Sequence, residues 1–163
     1  MKKLLLVFLV MVLLTGCSLQ TFETVDDLND VPAIAKPATL LIDLPEEAAA
    51  PAMEGSSGTL YFCGDYEIMV EVMPSGNLES TLQTLTGFGS DELELMTTER
   101  CGADCYEGAW SAAGEAGDHV GRVLILDDNQ FHYCVSVMAS AENAGSCAEE
   151  WNEILDSVAL AEG

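Results

Sequence analysis

The chain has 163 residues, with 28 acidic side chains against 5 lysines and arginines and a formal net charge of -23. This length is typical of one domain. Nucleic acid is excluded as a partner, because a phosphate-binding surface needs clustered basic residues and only Lys36, Arg100 and Arg122 lie beyond the first three positions. General disorder is also excluded, since 49% of the residues are apolar and recur periodically.

The N-terminus has the organisation of a secretory signal peptide. Lys2 and Lys3 precede an uninterrupted apolar run at residues 4–14, which is shorter than the roughly 20 residues of a membrane-spanning helix. A basic start, an apolar run of this length and small residues after it are typical of an export signal. We expect residues 1–16 to be this signal. A buried helix opening the folded domain is disfavoured, because no polar residue interrupts the run.

The four residues Leu14-Thr15-Gly16-Cys17 resemble the bacterial lipobox, whose cysteine is diacylated before cleavage on its amino side. The resemblance implies that Cys17 is the lipidated N-terminus of the mature chain. Two or three acyl chains hold a protein stably on a bilayer, whereas one holds it marginally. We therefore expect a lipid-anchored protein on the extracytoplasmic face of the cell membrane.

Composition divides the rest of the chain into a tether and a domain. Residues 17–37 are acidic, contain two prolines and show no sustained periodicity, which is typical of a flexible linker. Residues 38–163 form the predicted single domain.

Strands and helices follow from the spacing of apolar residues within this domain. A loop with one helical turn before Pro51 is expected at residues 46–58, and a helix capped by Asn77 is closed by Gly87. The strands are expected at 39–44, 60–63, 66–73, through Leu93 and Leu95, at 106–113, and in a hairpin of 120–126 with 131–138.

A C-terminal amphipathic helix carries Cys147, Trp151, Ile154, Leu155 and Val158 at helical spacing, with acidic residues opposite. Ser146 and Glu149 have the spacing of a capping box near its start. This order of elements predicts an α+β fold, a mainly antiparallel sheet with helices packed on it. The predicted core comprises Ile68, Val70, Val72, Leu82, Leu85, Leu93, Leu95, Val123, Ile125, Tyr133, Val135, Trp151, Ile154 and Leu155.

Three runs, YEGAWSAAGEAG, HYCVSVMA and EEWNEILDSVAL, resemble small lipoproteins of Gram-positive anaerobes. The order of elements over about residues 59–160 resembles the PsbP-like α-β-α sandwich. Members of that wider fold are mostly non-catalytic extrinsic or binding proteins, so the resemblance implies a binding role. It offers no motif on which a functional residue of the family could be placed.

Five cysteines remain once Cys17 is assigned to lipid, and an exported chain favours disulfides. Because five is odd, at least one thiol is free or pairs between molecules, and two bridges could form in fifteen patterns. Cys101 and Cys105 bracket an apparent turn, which favours a local disulfide. We expect Cys63, Cys134 and Cys147 to be buried. Zinc is disfavoured, because only one closely spaced pair exists and no histidine matches it.

Catalytic chemistry has little support in the sequence. His132 lies two positions from Cys134, so an enzyme using this pair is an open alternative, although a solvated or hydrogen-bonded strand histidine is the simpler interpretation. The common nucleophile, phosphate-binding and zinc motifs are absent from the sequence. We therefore assign no catalytic residue, no cofactor and no metal.

The cluster Asp127-Asp128-Asn129 leaves a second alternative, a calcium-dependent surface module, although it lacks EF-hand spacing. The favoured hypothesis is a non-catalytic, lipid-anchored extracytoplasmic domain that binds a partner protein, a small ligand or an envelope component. An apolar groove rimmed by polar groups would support it.

Overall fold

The computed structural model describes residues 35–56, 58–114 and 117–161. The predicted signal peptide, Cys17 and the tether as far as residue 34 lie outside the described residues. Near the predicted start of the domain, the Ala38 N–H donates to the Tyr133 hydroxyl at 2.8 Å, and the Thr39 carbonyl accepts from the Ala161 N–H at 2.9 Å. These two bonds tie the beginning of the described chain to a central strand and to the C-terminus.

The main sheet has seven antiparallel strands. They are β2 (Met53–Glu54), β3 (Gly58–Cys63), β4 (Tyr66–Pro74), β5 (Met96–Arg100), β6 (Ala103–Ala112), β7 (His119–Asp127) and β8 (Phe131–Ser140). Their order across the sheet is β2-β3-β4-β8-β7-β6-β5. The hairpin predicted around residues 127–130 is confirmed, and its two strands lie at the centre of the sheet.

A second sheet pairs only β1 (Leu40–Leu41) with β9 (Ala159–Leu160). The strand predicted at 39–44 is therefore much shorter than expected, and β9 was not predicted. The expected helical turn before Pro51 is present as a 3-10 turn at Glu46–Ala48.

Two α-helices cover opposite faces of the main sheet. Helix α1 (Leu78–Thr86) contributes Leu82 to one core, which includes Val123, Ile125 and Cys134. Helix α2 (Ala144–Ser157) contributes to the other core, which is built on Cys147, Trp151, Ile154, Leu155, Ile68, Leu124, Leu126, Tyr133, Val135 and Val137. The predicted α+β fold is confirmed, and every residue of the predicted core is buried or partly buried.

Helix α1 has the two ends that the sequence predicts. The Asn77 side chain accepts from the Glu79 N–H at 3.0 Å, which satisfies one of the free amides of the first turn. Gly87 ends the helix with a φ of 82°, a left-handed conformation that glycine adopts without steric cost.

Helix α2 begins earlier than the predicted capping box requires. The Asn143 carbonyl accepts from the N–H groups of Ser146 and Cys147, so Ser146 already lies inside the first turn. Its hydroxyl donates to the Asn143 carbonyl rather than capping the helix. The capping box of Ser146 and Glu149 is therefore wrong, although the apolar face of the helix is buried as expected.

The strand expected through Leu93 and Leu95 is also wrong, because β5 begins only at Met96. Leu93 is buried and Leu95 packs against the α1 core, so this segment covers the sheet rather than extending it. A Cβ added to Gly108 would lie 2.9 Å from Leu95 Cδ2. Gly108 therefore makes room for Leu95 in the middle of β6.

Candidate functional site

A groove of about 220 Å³ lies between α1 and the strands β3, β4 and β8. Its floor and walls are mainly apolar, and its lining residues are Leu60, Glu67, Met69, Glu71, Thr84, Leu85, Ser136 and Met138. The groove exists because the α1 core lies mainly over β7 and its neighbours, which leaves the β3 side of the same face uncovered.

Strand β4 gives the groove both acidic and apolar side chains, because its successive residues point to opposite faces of the sheet. Ile68 points into the α2 core, so Glu67, Met69 and Glu71 point to the opposite face. The sequence predicted this alternation and treated the second face as mostly polar. Met69 adds an apolar side chain between the two glutamates, which makes that face amphipathic. The sequence analysis did not identify Met69 as a site residue.

Two exposed apolar side chains extend the groove toward the edge of the sheet. Phe62 is 56% exposed and pairs across the strands with Glu67, while Met53 is 67% exposed and pairs with Leu60. Directly opposed residues of an antiparallel pair share a face. We call Met53, Leu60, Phe62, Met69 and Met138 the open strip.

The charges on the two faces of the sheet differ. Arg100 and Arg122 both contact the Glu107 carboxylate, at 3.1 and 3.7 Å, and both are tied to α2 by hydrogen bonds to Leu155 and Asn152. No lysine or arginine lines the groove within the described part of the chain. The carboxylates of Glu67 and Glu71 therefore line the groove without a basic side chain among the described lining residues.

The histidine that the sequence singled out, His132, is completely buried, so of the two simpler interpretations, solvated or hydrogen-bonded, the structure agrees with the second. Thr81 Oγ1 lies 2.8 Å from Nδ1, while Ser75 Oγ and Asp127 Oδ2 lie 3.4 and 3.3 Å from Nε2. A serine and a carboxylate on the same ring nitrogen do not form the relay of a catalytic triad, in which they occupy opposite nitrogens. The cluster is a buried hydrogen-bond network that joins α1 to β8.

Cys134 is equally buried, in the core under α1. Burial and, secondarily, the Glu71 carboxylate raise the pKa of its thiol to about 12. A thiol with this pKa is almost fully protonated at neutral pH, and the thiolate is the nucleophile. His132 and Cys134 are therefore not the open nucleophile and base pair that the enzyme alternative requires.

The carboxylates of the acidic turn between β7 and β8 accept hydrogen bonds from donors within the protein. Asp128 accepts from the N–H groups of Gln130 and Phe131 and from the Tyr133 hydroxyl, at 2.7 to 2.9 Å. Asp127 accepts from the Asn129 N–H and from Ser75. Within the described residues no group of three His, Cys, Asp or Glu side chains is placed to hold a metal ion. The carboxylates proposed for calcium instead hold the hairpin turn.

The two cysteines expected to form a local disulfide, Cys101 and Cys105, differ in their exposure to solvent. Cys101 is exposed in the β5–β6 turn with a φ of 55°, whereas Cys105 is buried on β6 and faces the α2 core. Both are free thiols in this structure, as are Cys63, Cys134 and Cys147. The last three are buried, as the sequence predicts.

No family model matches the chain, and no curated protein matches it by sequence. Among solved structures, it is similar to a Bacteroides thetaiotaomicron protein with a TM-score of 0.52 and 13% identity, over 76% of this chain and 45% of that one. It is also similar to LpqN, which is involved in cell envelope biogenesis of Mycobacterium tuberculosis. That match has a TM-score of 0.50 and 12% identity, over 78% of this chain and 87% of LpqN. At these identities the similarity shows a shared fold alone.

None of the helices within the described residues is long and apolar enough to cross a membrane.

Proposed function

We propose that this protein is a non-catalytic, lipid-anchored domain on the extracytoplasmic face of the membrane. Its open strip binds an amphipathic, basic segment of a partner protein. The observation that carries the proposal is the uncovered apolar groove beside α1, with the carboxylates of Glu67 and Glu71 among its lining residues. Such a groove combines an apolar surface for affinity with a few polar groups for orientation.

The volume of the groove favours one side chain of a larger partner as its occupant over a whole small molecule. Small-molecule sites usually measure about 300 Å³ or more, whereas this groove holds about 220 Å³. Phe62 and Met53 stand exposed beside it and add contact area outside the cavity. One apolar anchor in the groove and a flanking segment over Phe62 and Met53 would cover the open strip.

The composition of the open strip supports a polypeptide ligand. Three of its five residues are methionines, whose flexible side chains adapt to partners of different shape. Glu67 and Glu71 lie in the groove without a basic neighbour lining it, so lysine or arginine beside the apolar anchor would complement them.

The proposed compartment rests on residues outside the described structure. Lys2, Lys3, the apolar run at 4–14 and the lipobox ending at Cys17 together support export and lipid anchoring. The shared fold with LpqN, a protein involved in cell envelope biogenesis, is consistent with a role at the envelope.

Hydrogen exchange of the lipidated chain in phosphatidylcholine nanodiscs tests this function. The probe is a synthetic amphipathic peptide of lysine and leucine, and its control is the same peptide with serine replacing every leucine. We expect the first peptide alone to slow exchange in β3, the end of α1 and the adjoining part of β4. Equal protection by both peptides, or protection confined to the α2 face, would contradict the proposed site.

A further inference from the structure

Strand β5 is an open edge of the main sheet. It pairs with β6 on one side, and no strand lies on its other side within the part of the chain that the structure describes. Residues 96–99 are exposed, and the pairing with β6 runs through all five residues of β5 without a bulge. The strand contains no proline or lysine, the residues that commonly protect sheet edges. An edge of this kind can pair with the strand of another chain.

The β5–β6 turn determines which backbone groups of β5 face outward. Both residues of this two-residue turn have positive φ, 55° and 74°, which is typical of a type I′ hairpin. In such a hairpin the flanking residues, here Arg100 and Ala103, exchange hydrogen bonds, and bonded residues alternate along the strand. Thr98 therefore also bonds to β6. The N–H and C=O groups of Thr97 and Glu99 point away from the sheet.

A second copy of this chain has one register that suits these outward groups. A two-fold antiparallel pair can place Thr97 of each copy opposite Glu99 of the other, with Thr98 at the axis. A shift of the register in one direction would place the two Glu99 carboxylates directly opposite each other, which is unfavourable. A shift in the other direction would need residues 94–95, which lie outside β5, and Leu95 is packed against the α1 core.

We propose that two copies of this protein on one membrane pair through β5 and join their main sheets. The Thr97 hydroxyl is then placed to donate to the Glu99 carboxylate of the second copy, and the two Thr98 side chains face each other. Met96, which is 56% exposed, lies opposite Arg100 of the second copy, so no like charges are directly opposed.

The pairing depends on the proposed lipid anchor but not on the open strip. One five-residue edge is small compared with the roughly 1,200 Å² of a stable interface, so the two copies must be concentrated on a bilayer. The open strip lies toward the β2 edge, at the other end of the strand order. Failure of the pairing would therefore leave peptide binding at the open strip unchanged, and failure of peptide binding would leave the pairing unchanged.

Disulfides between two variants test the register. Thr97→Cys and Glu99→Cys chains, both carrying Cys101→Ala, are lipidated, mixed in phosphatidylcholine vesicles and treated with oxidised glutathione. We expect the two variants to link to each other, because opposed residues of a bonded pair lie about 5.5 Å apart at Cα, within the reach of a disulfide. Each variant alone should link at least about tenfold more slowly, because its two cysteines are only diagonal neighbours. Equal linking in the mixture and in each variant alone would overturn the proposal.

Energy transfer tests the role of the outward backbone groups. Cys101 is exposed, and its two copies in the proposed pair lie six residues apart along the strands, about 20 Å. Lipidated chains labelled at Cys101 with donor or acceptor dye should therefore show transfer in dilute vesicles. Thr97→Pro removes an N–H that the β5–β6 ladder does not use, so this variant should fold and lose at least about tenfold of the transfer. The matched control Thr97→Val keeps the N–H and should keep the transfer.

Equal transfer in the proline and valine variants, whether high or absent in both, would overturn pairing through β5. Circular dichroism checks that Thr97→Pro is folded, and the disulfide test decides the proposal without this variant. The full chain has a formal net charge of -23, so two copies repel each other and added salt should increase the transfer by screening. A decrease with salt would show attraction between opposite charges and would contradict the pairing of two copies.

Discussion

The Tyr133 hydroxyl, on β8, donates to Oδ2 of Asp128 in the β7–β8 turn at 2.9 Å. Tyr133 is fully buried in the α2 core, and the same hydroxyl accepts from the Ala38 N–H. The Asp128 carboxylate thus joins three parts of the fold: the β7–β8 turn, the core and the beginning of the domain.

This network predicts an acid-sensitive contribution to stability. Burial alone would raise the pKa of Asp128, but the hydrogen bonds from Phe131, Gln130 and Tyr133 outweigh it and lower that pKa from its ordinary value of 3.8. A carboxyl whose pKa is lowered by folding stabilises the fold above its unfolded pKa, and this stability is lost as the pH falls through the folded pKa.

We expect Asp128→Asn to lower the free energy of unfolding by about 2 kcal/mol at pH 7, since charge-assisted hydrogen bonds contribute about 1.5 to 3 kcal/mol. The difference from the unsubstituted chain should shrink below pH 4 in urea titrations. Asp104→Asn, at an exposed position on β6, is the control and should have little effect. A difference that persists unchanged to pH 2 would contradict the role assigned to the carboxylate.

Thiol reactivity should distinguish the cysteines by burial. Cys101 is exposed, while burial is the main cause that raises the pKa of Cys63, Cys105 and Cys134. We expect iodoacetamide at pH 8 to alkylate Cys101 first, with the buried thiols reacting on the order of a hundredfold more slowly until urea is added. Peptide mapping by mass spectrometry measures this. Early alkylation of Cys105 at the rate of Cys101 would contradict the burial described here.

Substitution of Trp151 should show how strongly the α2 core contributes to stability. It is 2% exposed and packs edge-on against Tyr66. Trp151→Ala should cost about 3 to 5 kcal/mol, and Trp151→Phe, which keeps a ring, should cost less. Because domains have only about 5 to 15 kcal/mol in total, the phenylalanine variant keeps the comparison measurable if the alanine variant is unfolded. An unchanged urea midpoint in both variants would show that the terminal helix does not pack as described.

Lipid anchoring has its own direct test. Metabolic labelling with a fatty acid should mark the unsubstituted chain and the Cys101→Ala control, but not Cys17→Ala. The Cys17→Ala chain should also keep its signal peptide. Labelling that survives in Cys17→Ala would refute the lipobox interpretation.

The elements that the sequence predicts well are those whose signal is local. Asn77 and Gly87 cap α1 through contacts within a few residues, and the β7–β8 hairpin needs only its own turn. The strand predicted through Leu93 and Leu95 was wrong, because an extended segment that lies on the sheet shows the same alternation of leucine and glutamate as a strand within it. Leu95 packs where a side chain at position 108 would otherwise lie. This contact between distant residues exists only in the folded sheet, so the sequence alone does not reveal it.

The site was harder to predict, because its parts come from distant positions. The sequence left His132 either solvated or hydrogen-bonded, because its partner Thr81 lies 51 residues away on the helix that buries it and local spacing does not reveal this contact. The groove likewise requires β3, β4, β8 and α1 together. The one local signal was the alternation of Met69 and Met73 with Glu67 and Glu71 on one face of β4. That signal identifies an amphipathic surface without showing that part of it is left uncovered.

Binding at the open strip is tested most directly by the affinity of the lysine and leucine peptide for two methionine variants. Met69→Ser changes the groove, whereas Met96→Ser changes a methionine that is 56% exposed on β5, away from it. If the open strip is the binding site, Met69→Ser in nanodiscs should weaken binding about tenfold and Met96→Ser by less than about twofold, because binding energy concentrates in buried anchors. Equal affinities of the two variants would show that the peptide does not bind at the open strip.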